Sequence, residues 1–428
     1  MVGEGTKQLR PDSTYSFTLQ VDNSADGCFA NPACDVDHKL YVRVANASEK
    51  IYLGFGSFGA SLIFRITKNG TLVFGPQSIT TLSQGYIKYF SQANAGPDVL
   101  SIHGYNAIEF APGSPGDYSI EFNGTPAIGR FDITVIDSAI SPLVAIDGRL
   151  WSKDWEFTYG NIAMPVSAAL GTQYIYSDDS IVTSIYFNHM RGDNFNVTAT
   201  RNGLFPPPVP FNISCRSRPG SYDYPQYKIF INDPDVNQFP TGITGSIQNG
   251  ITVTPQCDGS VTLTFSVNKP GVVKIEIEVN PAPGQQPEDV TLTDTVTTGV
   301  NSITWNGLNG LGNPVPSGSV ITLNISYVNG LTNVAMVDVE KNIDGYIIQL
   351  VRPTGPPLAM YWDDILLANK GGVTQLDGCY SSLPSNGCHT WDGNYNGVPQ
   401  DMGVYYYFIS YDCGGKTIEE SGDVTLVR

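Results

Sequence analysis

The chain has 428 residues, with 23 basic and 40 acidic side chains and a formal net charge of −17. Charged residues make up only 15% of it, against about 25% in ordinary soluble proteins, so the acidity reflects scarce bases. Such a composition excludes nucleic-acid binding and attraction to anionic lipid, because both need clustered Lys and Arg. A hydrophobic fraction of 41% excludes disorder, and no apolar run approaches the roughly 18 residues of a membrane helix.

Short segments of alternating or β-branched character, each closed by Gly, Asn, Asp or Pro, fill the first third of the chain. They are Tyr15–Val21, Lys39–Val44, Lys50–Phe55, Ser61–Thr67, Thr71–Phe74, Asp117–Phe122 and Arg130–Ile136. Many short strands with frequent turn signals are typical of antiparallel sandwiches or barrels. No long amphipathic helix alternates with them, which argues against α/β enzyme folds. We therefore predict an all-β chain of tandem antiparallel Ig-like β-sandwiches.

Lapses in this pattern indicate four domains. The segment Asp137–Pro142 follows a finished strand, Asn232–Asn237 ends a second set of strands, and Asp344 opens the last set. The predicted domains are 1–138, 139–236, 237–342 and 343–428.

Seven cysteines occur, and two close pairs lie in turn-rich stretches. Cys28 with Cys34, and Cys379 with Cys388, are predicted short-loop disulfides, which suit an oxidising compartment. Cys215 with Cys257 is a looser third pairing that leaves Cys413 free. The alternative is a set of reduced, buried thiols.

Acidic turns suggest calcium, which prefers oxygen ligands from Asp, Asn and main-chain carbonyls. One candidate cluster lies at a predicted domain junction, and a second flanks the first cysteine pair. Their members are Asn232, Asp233, Asp235 and Asn237, and Asp22, Asp26, Asp35 and Asp37. Neither matches an EF-hand loop, so ordinary capped turns remain the alternative.

Two tryptophans, Trp151 and Trp155, would face the same side if their segment forms one strand. Exposed rings there would form a platform for stacking sugars. Packing in a sandwich core is the competing interpretation.

Catalytic motifs are missing from the sequence. Only four histidines occur, far apart, and no zinc-protease, serine-esterase or P-loop string is present. We expect the chain not to be an enzyme.

An internal repeat links the third and fourth domains. Thr304-Trp305-Asn306-Gly307 and Thr390-Trp391-Asp392-Gly393 are each followed by a Gly/Asn-rich turn and a return strand. Each copy predicts a strand that ends on a buried tryptophan and a turn that needs glycine for positive φ.

These residues resemble known families. The Trp-Asn/Asp-Gly turn with Gly403-Val404-Tyr405 after it is similar to Ig-like modules of flagellar hook-capping proteins. With the closing strand Gly422–Arg428, it resembles more strongly the gliding-motility-associated C-terminal domains of secreted Bacteroidota proteins. The opening Gly3–Pro11 also resembles the mature start of long surface proteins of that group.

The resemblance implies a sorting signal for the type IX secretion system, whose machinery would be a partner. It also implies O-glycosylation at Asp-Ser/Thr triplets. The acceptors would be Ser13, Ser138, Ser180 and Thr295.

We therefore expect a secreted, extracellular, non-catalytic adhesin or structural segment at the cell surface, with surface glycans or surface proteins as partners. One alternative is a carbohydrate-binding accessory region of a polysaccharide-degrading protein. Another is the subunit of a self-assembling surface filament or other homo-oligomer, joined through exposed strand edges.

Overall fold

The structure is a computed structural model with two compact units. One unit comprises residues 1–177, 182–241 and 332–428, and the other comprises 178–181 and 242–331. The described residues are 3–9, 17–20, 39–57, 62–123, 128–159, 171–187, 194–200, 225–282, 286–316, 318–328, 332–336, 346–360, 394–395, 398–399, 403–413 and 416–426.

Strands dominate both units, and the described helices are two short ones. Before residue 242 the elements are β1 (Glu4–Gly5), α1 (Thr6–Leu9), β2 (Phe17–Gln20), β3 (Leu40–Val44), β4 (Glu49–Ser57), β5 (Leu62–Lys68), β6 (Thr71–Ile79), α2 (Phe90–Ala95), β7 (Ile108–Phe110), β8 (Gly116–Phe122), β9 (Ile128–Asp137), β10 (Ala145–Ile146), β11 (Leu150–Ser152), β12 (Asp154–Tyr159), β13 (Thr172–Tyr176), β14 (Val182–Tyr186), β15 (Asn194–Thr200) and β16 (Lys228–Phe230). The second unit contains β17 (Ile247–Pro255), β18 (Val261–Val267), β19 (Gly271–Glu278), β20 (Val290–Val296), β21 (Gly299–Trp305) and β22 (Thr322–Val328). The remaining strands are β23 (Asn333–Met336), β24 (Tyr346–Arg352), β25 (Pro357–Met360), β26 (Asn394–Tyr395), β27 (Val398–Pro399), β28 (Gly403–Cys413) and β29 (Lys416–Leu426).

The first unit contains two large antiparallel sheets. One has the order β23-β15-β12-β2-β9-β4-β7, with β1 and β10 also paired to β9. The other has the order β25-β24-β14-β13-β16-β11-β3-β8-β5-β6. Strict alternation of buried and half-buried residues along β3 and β13 shows that one face of their sheet is the inner one. Both sheets contribute to a single hydrophobic core, which confirms the predicted all-β sandwich class.

The predicted division of this region into 1–138 and 139–236 does not separate two sandwiches. Strand β11 pairs with β3, and β12 pairs with β2, so residues from both sides of position 138 share sheets and core. Strand β24, placed in a fourth domain by the sequence, pairs with β14. Local turn signals mark where strands end, but they do not determine which strands pair across the chain.

The second unit is a smaller sandwich that approximates the predicted third domain. Its sheets have the orders β17-β18-β21 and β20-β19-β22. Leu263, Phe265, Ile275 and Trp305 are among the residues of its separate core.

The predicted tryptophan turn is confirmed at its first copy. Strand β21 ends on Trp305, which is buried and donates from Nε1 to Leu308 O at 2.8 Å. Gly307 has a φ of 76°, in the left-handed region that favours glycine. Trp391, in the second copy, lies outside the described residues. The return strand that follows it is β28, which pairs with β29 over its whole length.

A glycine in β4 allows Tyr105 to pack on the outer face of the nine-stranded sheet. A Cβ atom on Gly54 would fall 2.2 Å from Tyr105 Cε2, and Tyr105 is fully buried with its hydroxyl donating to Asp132 Oδ2 at 2.8 Å. The ring therefore has little room to move.

We expect Gly54→Ala to lower the free energy of unfolding by about 1–3 kcal/mol through overpacking. Urea denaturation of the variant measures this loss. In a Tyr105→Ala background the same substitution should cost much less, because the ring is gone. An equal cost in both backgrounds would contradict the explanation.

No helix among the described residues is long and apolar enough to span a membrane.

Candidate functional site

Four aromatic side chains form a row across the ten-stranded sheet. Tyr41 on β3 is paired with Trp151 on β11, Trp151 with Phe230 on β16, and Phe230 with Tyr174 on β13. Their strand neighbours, such as Val42, point into the core, so the aromatic row lies on the outer face. The rings of Tyr41 and Trp151 stack with centroids 4.1 Å apart and planes inclined by 8°.

The two tryptophans predicted to form a sugar platform do not share a face. The chain leaves the ten-stranded sheet after β11 and enters the nine-stranded sheet at β12, so Trp155 points into the core. Trp155 is fully buried and donates from Nε1 to Ile229 O at 2.9 Å. Trp151 is 5% exposed, stacks on Tyr41 and has Lys228 Nζ 4.8 Å from its ring centroid. The prediction of an exposed pair is therefore wrong.

A segment that we call the strap, residues 232–240, crosses the end of the aromatic row. Its Phe239 packs edge-on against Phe230, with centroids 4.8 Å apart, and against Tyr176 at 5.5 Å. The Tyr176 hydroxyl donates to Pro240 O at 2.9 Å. The strap thus buries Phe230 completely, whereas the tyrosines Tyr41 and Tyr174 remain half-buried.

Arginines from distant strands hold the strap. Arg149 Nε lies 2.7 Å from Asp235 Oδ2, and the same guanidinium binds both carboxylate oxygens of Glu49 at 3.0 and 3.1 Å. Arg352 donates to Pro234 O at 2.7 Å and lies 3.0 Å from Asp233 Oδ1. These bonds join the strap to β4, to the start of β11 and to β24.

The predicted calcium cluster at 232–237 is therefore built from groups that already have protein partners. Asp233 and Asp235 face guanidinium groups, and Asp235 Oδ1 also accepts from Asn237 N at 2.9 Å. Asn232 Nδ2 lies 3.5 Å from Glu4 Oε1. Within the described ranges, no group of three or more His, Cys, Asp or Glu side chains is arranged to hold a metal. The second cluster, Asp22, Asp26, Asp35 and Asp37, lies outside those ranges, and calcium binding stays a prediction.

Glu4 belongs to this site although no pattern in the sequence marks it. Its Oε2 accepts from the backbone N–H groups of Arg149 and Leu150 at 2.8 and 2.9 Å. These two hydrogen bonds hold β1 beside the start of β11. Burial raises the pKa of Glu4 from 4.5 to about 8, and the backbone donors only partly offset this effect. Burial also raises the pKa of Asp132 from 3.8 to about 7. A charge-based search of the sequence would not find these residues, because burial alone distinguishes them from other acids.

The fold should accordingly lose stability as the pH rises from acid to mildly alkaline. A carboxyl group whose pKa is raised on folding contributes stability below its unfolded pKa and loses it as pH rises through the folded value. The loss falls between pH 4.5 and about 8 for Glu4 and between pH 3.8 and about 7 for Asp132. Within its window each group contributes about 1.4 kcal/mol per pH unit. We expect the melting temperature to fall from pH 5 to pH 8.5.

Glu4→Gln, which mimics the protonated acid, should reduce that slope. Glu276→Gln provides the control, because this side chain is 40% exposed and the substitution should leave the slope unchanged. A slope equal in Glu4→Gln and the original chain would contradict the assignment.

Lys68, Ser114 and Tyr118 form the described arrangement that most resembles a nucleophile with a neighbouring base. Lys68 Nζ lies 2.7 Å from Ser114 Oγ, 2.6 Å from Pro115 O and 3.3 Å from the Tyr118 hydroxyl. An ammonium group has three N–H donors, and these three acceptors match them. The lysine therefore ties the 112–115 loop to the end of β5, and we assign it no catalytic role.

Of the six cysteines predicted to form disulfides, Cys257 is the one that lies among the described residues. Cys257 is an exposed free thiol, so the predicted Cys215–Cys257 disulfide is wrong. It lies in the turn between β17 and β18, which pair closely on their own and need no covalent link. The pairs Cys28–Cys34 and Cys379–Cys388 lie outside the described residues, and they stay predictions.

Two of the predicted glycosylation acceptors are exposed. They are Ser138, which donates to Ser48 O at 2.6 Å, and Thr295 on β20. Ser180 is half-buried with a φ of 61°, and Ser13 lies outside the described residues. Glycosylation at these positions stays a prediction.

No protein-family model matches the chain, and no curated protein matches it. Two solved structures show weak likeness. The apo form of a lectin from Pleurotus ostreatus is 13% identical, with 84% of this chain and 85% of that chain covered and a TM-score of 0.14. A DUF4785 family protein from Legionella pneumophila is 8% identical, with 76% and 85% covered and a TM-score of 0.13. Such scores support no inference about fold or function.

Proposed function

We propose that this chain is a non-catalytic adhesive or structural segment of a secreted cell-surface protein, exported by a type IX-like route. The supporting observation is how the large sandwich uses its buried ionisable groups. Glu4, Glu49 and Arg149 bind main-chain groups or each other across strands far apart in sequence. Glu121, 2% exposed, likewise lies between Lys39 and Arg65 at 2.9 and 2.7 Å. Such links suit a stiff module.

Export and localisation rest on the composition and on the resemblance of the C-terminal residues. The strands of that resemblance correspond to β28 and β29, which form an antiparallel hairpin of their own. Deletion of 343–428 would also remove β24 and β25, which belong to the ten-stranded sheet. A sharper test therefore deletes only 394–428.

In the producing organism, antibodies against the purified chain should label intact cells. Deletion of 394–428 should abolish surface labelling while the protein accumulates inside the cell. A fusion of 361–428 to a reporter should be exported, which separates sorting from folding of the sandwich. Normal export of the deletion variant would overturn the proposed route.

A second candidate, glycan binding, is supported by the half-buried tyrosines of the aromatic row. Aromatic faces stack on sugar rings, and Tyr41, Tyr174 and Tyr176 are partly accessible beside the strap. A glycan array with the purified chain tests it, with Tyr174→Ala compared against Tyr327→Ala in the second unit. Binding that both substitutions reduce equally, or no binding, would remove this candidate.

A further inference from the structure

One sheet of the second unit presents an ordered array of hydroxyl groups, which we call the hydroxyl face. In each of the adjacent strands β17, β18 and β21, two serine or threonine residues are separated by a single other residue. The members are Thr252 and Thr254, Thr262 and Thr264, and Ser302 and Thr304.

All six side chains lie on the outward side of the sheet. Leu263, Phe265 and Ile303, which alternate with the hydroxyl residues on β18 and β21, belong to the core, and Ile251 on β17 packs against it. Since successive strand residues point to opposite faces, the hydroxyl residues point outward. Those on the two outer strands are exposed, and Thr262 and Thr264 on the central strand are half-buried.

Strand register places the hydroxyl groups in two ranks. Thr252 is paired with Thr264 and Thr264 with Ser302, while Thr254 is paired with Thr262 and Thr262 with Thr304. Strand geometry separates neighbours within a rank by about 4.8 Å and the two ranks by about 6.7 Å.

Hydrogen bonds orient four of these six hydroxyl groups. The Thr264 and Ser302 hydroxyls lie 3.1 Å apart, and those of Thr262 and Thr304 lie 3.3 Å apart. Threonine is also stiff at χ1 because it is β-branched. Little conformational entropy remains to be lost when the array meets a partner.

The hydroxyl face is uncharged although the chain as a whole carries a charge of −17. None of the residues of β17, β18 or β21 is acidic or basic. The other sheet of this unit differs, because Lys274 and Glu276 form an ion pair on the outward side of β19 and Glu278 accepts from Asn324. The threonines of that sheet therefore have charged neighbours, as Thr293 has in Lys274.

We propose that the hydroxyl face binds ice. A crystal face of ice is an uncharged, regular lattice of water oxygens, each both donor and acceptor, and a threonine hydroxyl also donates and accepts. Two ranks of evenly spaced hydroxyls with intervening methyl groups can hold water in that lattice, whereas ionic groups order water around themselves. The proposal is independent of the adhesive function and uses a different unit.

Ice affinity of the full chain tests this proposal. Fluorescently labelled protein is exposed to a slowly growing ice surface, and recrystallisation inhibition is measured over a protein dilution series. The original chain should be enriched in the ice and inhibit recrystallisation. Thr264→Lys, at the centre of one rank, should require at least about tenfold more protein for the same inhibition, as expected when a central contact residue is lost.

Thr293→Lys on the charged sheet is the matched control and should behave like the original chain. Thr304→Val, which keeps the shape but removes one exposed hydroxyl, should give an intermediate loss. Melting curves of all variants confirm that each one folds. Lack of ice enrichment by the original chain would overturn the proposal. So would equal losses in the two lysine variants, or Thr264-dependent retention on crystalline cellulose without ice affinity.

Discussion

Arg149→Met is expected to lower the free energy of unfolding by about 3–5 kcal/mol, because it removes one partner of a buried ion pair. Arg149 is 4% exposed and Glu49 is 2% exposed, so the substitution leaves a carboxylate with neither water nor a cation. It also removes the cation beside Asp235 of the strap, although Arg352 still donates to Pro234 O. Urea denaturation with an unchanged m-value measures the loss.

Arg43→Met provides the comparison for this prediction. Arg43 pairs with Asp117 at 3.5 Å, both side chains are about one-third exposed, and Arg43 Nε also donates to Gln238 Oε1 at 3.1 Å. The substitution should therefore cost about 1–2 kcal/mol. Replacing Arg149 and Glu49 together by methionine should recover much of the loss, since the orphaned charge disappears with its partner. Equal effects at Arg149 and Arg43 would contradict this account.

Trp155→Ala is expected to lower the free energy of unfolding by about 3–5 kcal/mol, the usual cost of removing a large buried aromatic side chain. The cavity would lie in the shared core of the two large sheets, and Ile229 O would lose the hydrogen bond from the indole.

The two tryptophans should respond differently to loss of the indole N–H alone. Trp151 Nε1 has no hydrogen-bond partner among the described residues, whereas Trp155 Nε1 has one. Trp155→Phe should therefore destabilise more than Trp151→Phe, by about 1–3 kcal/mol, because only the former breaks a buried hydrogen bond. Thermal denaturation of the two variants checks the order, and a reversed order would contradict it.

Individual strands and one turn could be predicted from local sequence. The predicted Lys39–Val44 and Asp117–Phe122 correspond to β3 and β8 within a residue. Alternation and turn residues act over a few positions, and the conformation at Gly307 follows from its own backbone. Local chemistry was sufficient in these cases.

The candidate site could not be predicted in the same way, because distant residues create it. Asp235 suggests a metal ligand until Arg149, from the start of β11, is seen beside it. The chain changes sheets between Trp151 and Trp155 without a Gly or Pro to mark the crossing. Pairing of Tyr41 with Trp151 likewise depends on sheet order, which alternation does not encode.

The pairing of β24 with β14 has a consequence for the order of events during synthesis. In the ten-stranded sheet, β14 lacks its partner strand β24 until residues 346–352 have left the ribosome, about 160 residues after β14. Contacts between such distant segments form slowly, because a long loop must close before they can stabilise anything. We expect the nascent chain to spend much of its synthesis without a completed sandwich, a period in which a chaperone or an export receptor has access to it.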